Sequence, residues 1–254
     1  MIRICVYTFV LASLLVACKK DQPLSITAEN FTEKELSICD SSCPEITVNY
    51  IRISGEDEHA TRINTVIEEF IIDALYLGEE TSAPSATTIA EAGTQFVQTY
   101  RTHTAEFPDM ELEYFVEINI RETFSSPQLL SLEMHQYLFT GGAHGYGATF
   151  FENFDAQTGE PLTHDALFND KSAFVKFAEK EFRKTFEIPE NESINATGFW
   201  FEDDRFYLPE SIGFSGSTLV MIYNQFDIAS YAAGPIELEI PLKDVESYLS
   251  FSIQ

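Results

Sequence analysis

The chain has 254 residues, 44% of them hydrophobic, and carries 41 acidic residues against 15 basic ones. That length and apolar content suit one large domain or two small ones and exclude a disordered chain. The formal charge of −26 argues against nucleic acid or anionic lipid as a direct partner of the folded surface and favours a cationic one.

The first twenty residues, "MIRICVYTFVLASLLVACKK", place one basic residue, Arg3, before an apolar run over 4–16 and a small-residue ending at Cys18. This is the plan of a secretory signal, and the run is too short to span a bilayer comfortably. The ending "LVAC" resembles the lipobox of bacterial lipoproteins, which implies cleavage of residues 1–17, acylation of Cys18, and membrane attachment through that lipid alone. Loss of Arg3 with the signal leaves 14 basic residues against 41 acidic ones. Lys19 and Lys20 stand where an inner-membrane retention aspartate would be, so the expected address is the bacterial cell envelope, with the outer membrane preferred. Cys39 and Cys43 of "CDSSC" then form the remaining pair, and export favours a disulfide between them. Asp40, Ser41 and Ser42 favour the tight turn that such a bridge needs.

Residues 18–44 read as a lipidated tether and a first strand region, with "KKDQPLS" as the polar tether. "EITVNYIRIS" alternates Ile46, Val48 and Tyr50, the period of a half-buried strand. In "EDEHATRINTVIEEFIIDAL" the period changes: Ile63, Val66, Ile67, Phe70, Ile71 and Ala74 share one helical face, and Glu56, Asp57 and Glu58 suit the positive end of its dipole. A weaker helix carries Phe96, Val97 and Tyr100 and should stop before Pro108. "MELEYFVEINIRETF" is strand again, with Met110, Leu112, Tyr114, Val116, Ile118 and Ile120 on one face. It pairs across "SSPQ" with a strand carrying Leu130, Leu132 and Met134. "TFFENFDAQTGEPL" continues as strand into the turn "QTGE". "KSAFVKFAEKEFRKTFEI" is a second confident helix, burying Phe174, Val175, Phe177, Ala178 and Phe182. "STLVMIY" and "GPIELEIPL" close the chain as strands joined by "NQFDIASYAAG". This order predicts an α+β fold, a mostly antiparallel sheet with helices packed on it.

"YLFTGGAHGYG", "ENFDAQTGEPLTHDALF", the phenylalanine-rich helix and "MIYNQFDIASYAAGPIELEIP" occur here in an order that resembles a known family. It is the extracytoplasmic domain shared by the lysozyme-sensing anti-sigma factor RsiV and the N-terminal part of the peptidoglycan deacetylase PdaC. The resemblance runs from about residue 45 to 249. It implies a single compact unit of two sequence halves, PdaC-type over 45–144 and RsiV-like over 145–254. This chain has Ser230 where the family commonly has proline before the tyrosine of the last loop.

Four glycines and His144 in "FTGGAHGYGATFF" invite an enzymatic reading. A phosphate loop needs a following helix N-terminus with lysine, and here strand follows. The histidines, at 59, 103, 135, 144 and 164, include no two that are three to five residues apart, so no helical metal pair exists. The default is a strand-connecting turn. Asp203 and Asp204 of "WFEDDRF" lack the paired histidines of metal-dependent polysaccharide deacetylases and read as a solvated loop. "GFSGS" mimics a nucleophile elbow by letter only and reads as a hairpin turn. No cofactor, metal or catalytic residue is assigned.

Two classes of function remain. The first is a non-catalytic binding module for cell-wall glycan, such as peptidoglycan fragments, or for a basic protein such as lysozyme. Phe226, Tyr231 and Gly234 of the last loop, together with His144, would carry the binding. The second is an envelope hydrolase, deacetylase-like, using His144 with carboxylates such as Asp155 or Asp165. A fatty-acid probe fed to cells should label the wild-type chain and fail to label Cys18→Ser; equal labelling of both refutes the anchor.

Overall fold

A computed structural model describes residues 25–40, 42–55, 57–79, 82–108 and 113–253. Cys18, Lys19, Lys20, Ser41, Glu56, Met110 and Leu112 lie outside the described residues, and the expected signal and anchor lie there with them.

The first sheet has five strands in the order β1 (Ile26–Thr32), β2 (Glu45–Ile53), β3 (Phe115–Ser125), β4 (Leu129–Phe139) and β5 (Tyr146–Asp155). Its pairs are antiparallel except β2 with β3. A parallel pair needs a long crossover. Here α1 (Glu58–Ala74) and α2 (Ile89–Glu106) supply it. Asp57 caps α1 by accepting from the Ala60 amide at 2.9 Å, and Thr88 caps α2 by accepting from Glu91 at 3.2 Å. Each cap satisfies a helical donor that has no partner within the helix.

Alternation decides which face meets these helices. Ile46, Val48, Val116, Ile118, Ile120, Leu130, Leu132, Met134 and Phe154 are buried there with Ile63, Ile67 and Ile71 of α1 and Phe96 and Val97 of α2. Val66, Phe70 and Tyr100 are half-buried at the margin. Asn64 sits on the buried stripe as an amide clamp. Its Oδ1 accepts from the Ile53 amide and its Nδ2 donates to the Ile53 carbonyl, both at 2.8 Å. The pair satisfies the end of β2 where no strand can.

The second sheet is an antiparallel meander of β6 (Ser211–Ser215), β7 (Thr218–Tyr223) and β8 (Ile236–Pro241). On its outer side packs α4 (Lys171–Thr185), which follows the one-turn α3 (His164–Leu167). Phe174, Ala178 and Phe182 of α4 are buried as expected, while Val175 and Phe177 are only half-buried. The ring of Phe182 lies among Phe201, Phe206 and Tyr223 at 5.3, 5.5 and 5.9 Å. Burial pushes the Tyr223 phenol far up, helped by Tyr207 and Asp227, and its hydroxyl donates to the Tyr207 carbonyl at 2.5 Å.

The two sheets meet through β6, which crosses the far face of β4 and β5. Ser131 Oγ accepts from the Phe214 amide at 3.0 Å, and Asn153 Nδ2 donates to the Ile212 carbonyl at 2.7 Å. Between them Gly213 faces Phe151 so closely that a Cβ would stand 2.0 Å from its ring. The architecture is α+β, mostly antiparallel, with helices packed on the sheets. Gly213→Ala should force Phe151 or β6 to move and cost about 1–3 kcal/mol; thermal unfolding checks this, and an unchanged melting temperature contradicts it.

Candidate functional site

The loop 224–231 is mounted on the outer edge of β5. Asn224 reproduces a strand partner with its side chain: Oδ1 accepts from the Thr149 amide at 2.8 Å and Nδ2 donates to the Thr149 carbonyl at 3.1 Å. Four residues further along, just before β5 begins, the Tyr231 hydroxyl donates to the Gly145 carbonyl at 2.9 Å. Lower on the same edge, the Leu162 amide donates to the Asn153 carbonyl at 2.7 Å. These bonds use backbone groups that an open edge would leave unpaired.

The glycine segment is the turn between β4 and β5. Gly141 and Gly142 take φ of 89° and 92°, a region that side-chain-bearing residues avoid. The turn carries His144 outward, and its ring lies 4.8 Å from that of Tyr231 at an angle of 30°. Tyr231 in turn lies 5.5 Å from Phe226. Thus the fold gathers three of the four nominated binding residues, 87 positions apart in the chain, into one row of rings. Gly234, at φ 71°, follows the one-turn helix Tyr231–Ala233 and steers the chain into β8.

Phe226 is the most unusual of these residues. Its side chain is 58% exposed and its backbone sits at φ 72°. A bulky residue in the left-handed region costs on the order of 1–3 kcal/mol. The turn that imposes it is closed twice, by the Asp227 amide donating to the Asn224 carbonyl at 3.1 Å and the Asn224 amide donating to Asp227 Oδ2 at 2.7 Å. Burial raises the Asp227 carboxyl, the bond from Asn224 opposes this, and the charge of Glu210 adds to the rise.

Other exposed aromatic residues collect around the same loop. Tyr146, at the start of β5, is 44% exposed, and burial and the charge of Asp227 push its phenol up. The Tyr207 hydroxyl donates to the Asp227 carbonyl at 3.4 Å, and the Trp200 amide donates to the Ile228 carbonyl at 2.9 Å. None of these three stood out in the sequence as a candidate, because they lie far apart in the chain and only the tertiary contacts bring them to one place.

The pairing of His144 with Asp155 or Asp165 is not made. Asp155 ends β5 at the opposite end from His144, about 30 Å away at the rise of a strand, and accepts from the amides of Gln157 and Thr158. Asp165 pairs with Lys171 at 2.8 Å. His135 bonds Thr149 Oγ1 at 3.0 Å and His164 Nε2 lies 3.2 Å from the Glu210 carbonyl, so neither joins His144. Among the described residues no group of three or more histidines, cysteines or carboxylates is placed to hold a metal ion. Asp203 and Asp204 form an exposed turn at φ 53° and 55°, with Asp204 accepting from Ser193 and Asn195 at 2.7 Å each. The expected Cys39–Cys43 disulfide is present.

Residues 38–146 match the family model described as Deacetylase PdaC, and residues 165–243 match the one described as Protein of unknown function (DUF3298). The two matched stretches follow one another along the chain without overlapping. Its fold is similar to that of a DUF3298 family member from Bacteroides fragilis, with a TM-score of 0.62 and 22% identity over 90% of this chain and 94% of that one. A DUF3298 family protein from Pseudomonas aeruginosa PAO1 gives 0.59 and 19%, over 91% of this chain and 96% of the other. No curated protein matches the chain. The loop 224–231 with Phe226 and Tyr231 falls in the stretch similar to DUF3298, and His144 falls at the C-terminal margin of the stretch similar to PdaC. Among the described residues no helix is long and apolar enough to cross a membrane.

Proposed function

We propose that this chain is an envelope-anchored, non-catalytic binding module for a cell-wall glycan or a basic protein such as lysozyme. The lipid on Cys18 holds it at the outer membrane, and the partner docks on the rings of Phe226, Tyr231 and His144. The observation that carries this reading is Phe226, a large apolar ring held in solvent by a backbone conformation that glycine would adopt without strain. Strain kept at an exposed aromatic is an argument for contact with a partner. The acid excess supports the basic protein over the glycan, since long-range attraction would speed its encounter.

Binding to hen lysozyme and to peptidoglycan fragments, measured in parallel by biolayer interferometry, tests the reading. Association with lysozyme should weaken as salt rises. Phe226→Gly should keep or raise the melting temperature by relieving the turn, while weakening binding at least about tenfold, as expected for a central anchor. Saturable glycan binding without lysozyme binding selects the glycan. No binding to either, or Phe226→Gly binding like the wild type, overturns the docking surface.

A further inference from the structure

The register of the first sheet sets one row of short polar side chains across all five strands. Asn30 on β1 pairs with Asn49 on β2, Asn49 with Asn119 on β3, Asn119 with His135 on β4, and His135 with Thr149 on β5. Directly paired residues share a face of the sheet. For this row it is the face turned away from α1 and α2, because the chain neighbours Val48, Ile118, Ile120 and Met134 are buried beneath those helices. Four interstrand steps make the row about 19 Å long. One end is Thr149, where Asn224 holds the backbone; at the other, Asn30 and Asn49 are exposed.

Asparagine is depleted in strands, since its side chain competes for the backbone. Here three of them fall in one row, two on interior strands, and the row holds no carboxylate in a chain with 41 acidic residues. Their amides are oriented by one another. Asn49 Nδ2 donates to Asn119 Oδ1 at 3.0 Å, Asn119 Nδ2 donates to Glu117 Oε1 at 2.8 Å, and His135 Nδ1 lies 3.0 Å from Thr149 Oγ1. An amide has two N–H donors and a carbonyl with two lone pairs, so these bonds use only part of its capacity. Longer side chains border the row on β3 and β4. Glu117 and Tyr137 stand on one side, with Phe115 stacked against Tyr137 at 5.6 Å and 20°. On the other side Arg121 is bonded twice to Glu133, at 2.9 Å each. The row is thus the floor of a shallow trough that crosses the strands.

We infer that this trough binds an uncharged pyranose chain in an extended form, with its hydroxyls on the amides of Asn30, Asn49 and Asn119 and with Tyr137 beside it. Each sugar hydroxyl both donates and accepts, and an amide offers the same two functions side by side. The amides carry no charge, so the contact needs no long-range attraction. The inference does not rest on docking at the loop 224–231, and the two readings fail separately because they place a sugar on different residues.

The test is a titration of the purified protein with chitotetraose and with cellotetraose, both extended, and with maltotetraose, whose linkage coils the chain. Amide NMR reads the asparagine side chains directly. Saturable shifts of the Asn30, Asn49 and Asn119 side-chain amides are expected with an extended probe, at a Kd that does not change as salt rises. Asn49→Val should raise Kd at least about fivefold through loss of its hydrogen bonds to the sugar. Its melting temperature should hold or rise, since valine suits a strand better. Asn30→Val, on the edge strand, should weaken binding in the same direction without touching an interior strand. Equal binding of maltotetraose, shifts confined to residues 144 and 224–231, wild-type affinity in both variants, or no saturable shift with either extended probe overturns the assignment.

Discussion

The passage of β6 over the far face of β4 and β5 is the constraint on which the rest of the molecule depends. Three features coincide there: the Phe214 amide needs Ser131, the Ile212 carbonyl needs Asn153, and Gly213 alone lets the backbone approach Phe151. A slip of one residue would turn every side chain of β6 to the opposite face and drive a β-carbon into a phenylalanine ring. It would also strand buried polar groups at about 1–3 kcal/mol each. The register is therefore set, and with it the position of β7, β8 and the loop between them.

Asparagine does similar work at two ends of the structure. Asn64 closes the end of β2 against α1, and Asn224 closes the edge of β5 against the loop 224–231, each by offering one donor and one acceptor to a single residue's backbone. An amide side chain can imitate a strand in this way because it carries the same two groups as a peptide. The consequence for function lies at Thr149. The edge of β5 is denied to a foreign strand, and the rings of Phe226 and Tyr231 stand on a support fixed to a five-stranded sheet. A preorganised surface loses less entropy when it binds.

Much of this was legible before any coordinates, and the parts that were not share a cause. The stripes of α1 and α4 and the alternation of β3 and β4 follow from burial of one face, which leaves a period in the sequence. Strand β1 leaves none: as an edge strand it has exposed residues over 27–30, so only the polar tether before it and the cysteines after it bounded the region. The turn at 141–142 was readable because glycine there has a local reason. The row His144, Tyr231 and Phe226 was legible only as separate nominations, since a ring contact across 87 residues has no sequence period. Asn64 and Asn224 were missed for the converse reason: a polar residue on an apolar stripe or in a loop gives no sign that its partner is backbone. The parallel pairing of β2 and β3 was concealed by the predominance of antiparallel signals.

The central claim is that Asn224 fastens the ring-bearing loop to the edge of β5. The most direct measurement is native-state amide hydrogen exchange at Thr149 in the wild type and in Asn224→Ala. The account predicts that Thr149, though on an edge strand, is protected in the wild type. Its exchange should speed up by about tenfold in the variant, for the loss of one hydrogen bond of about 1–1.5 kcal/mol, while Met134 in the middle of β4 exchanges as before. Equally slow or equally fast exchange of Thr149 in both proteins would contradict it.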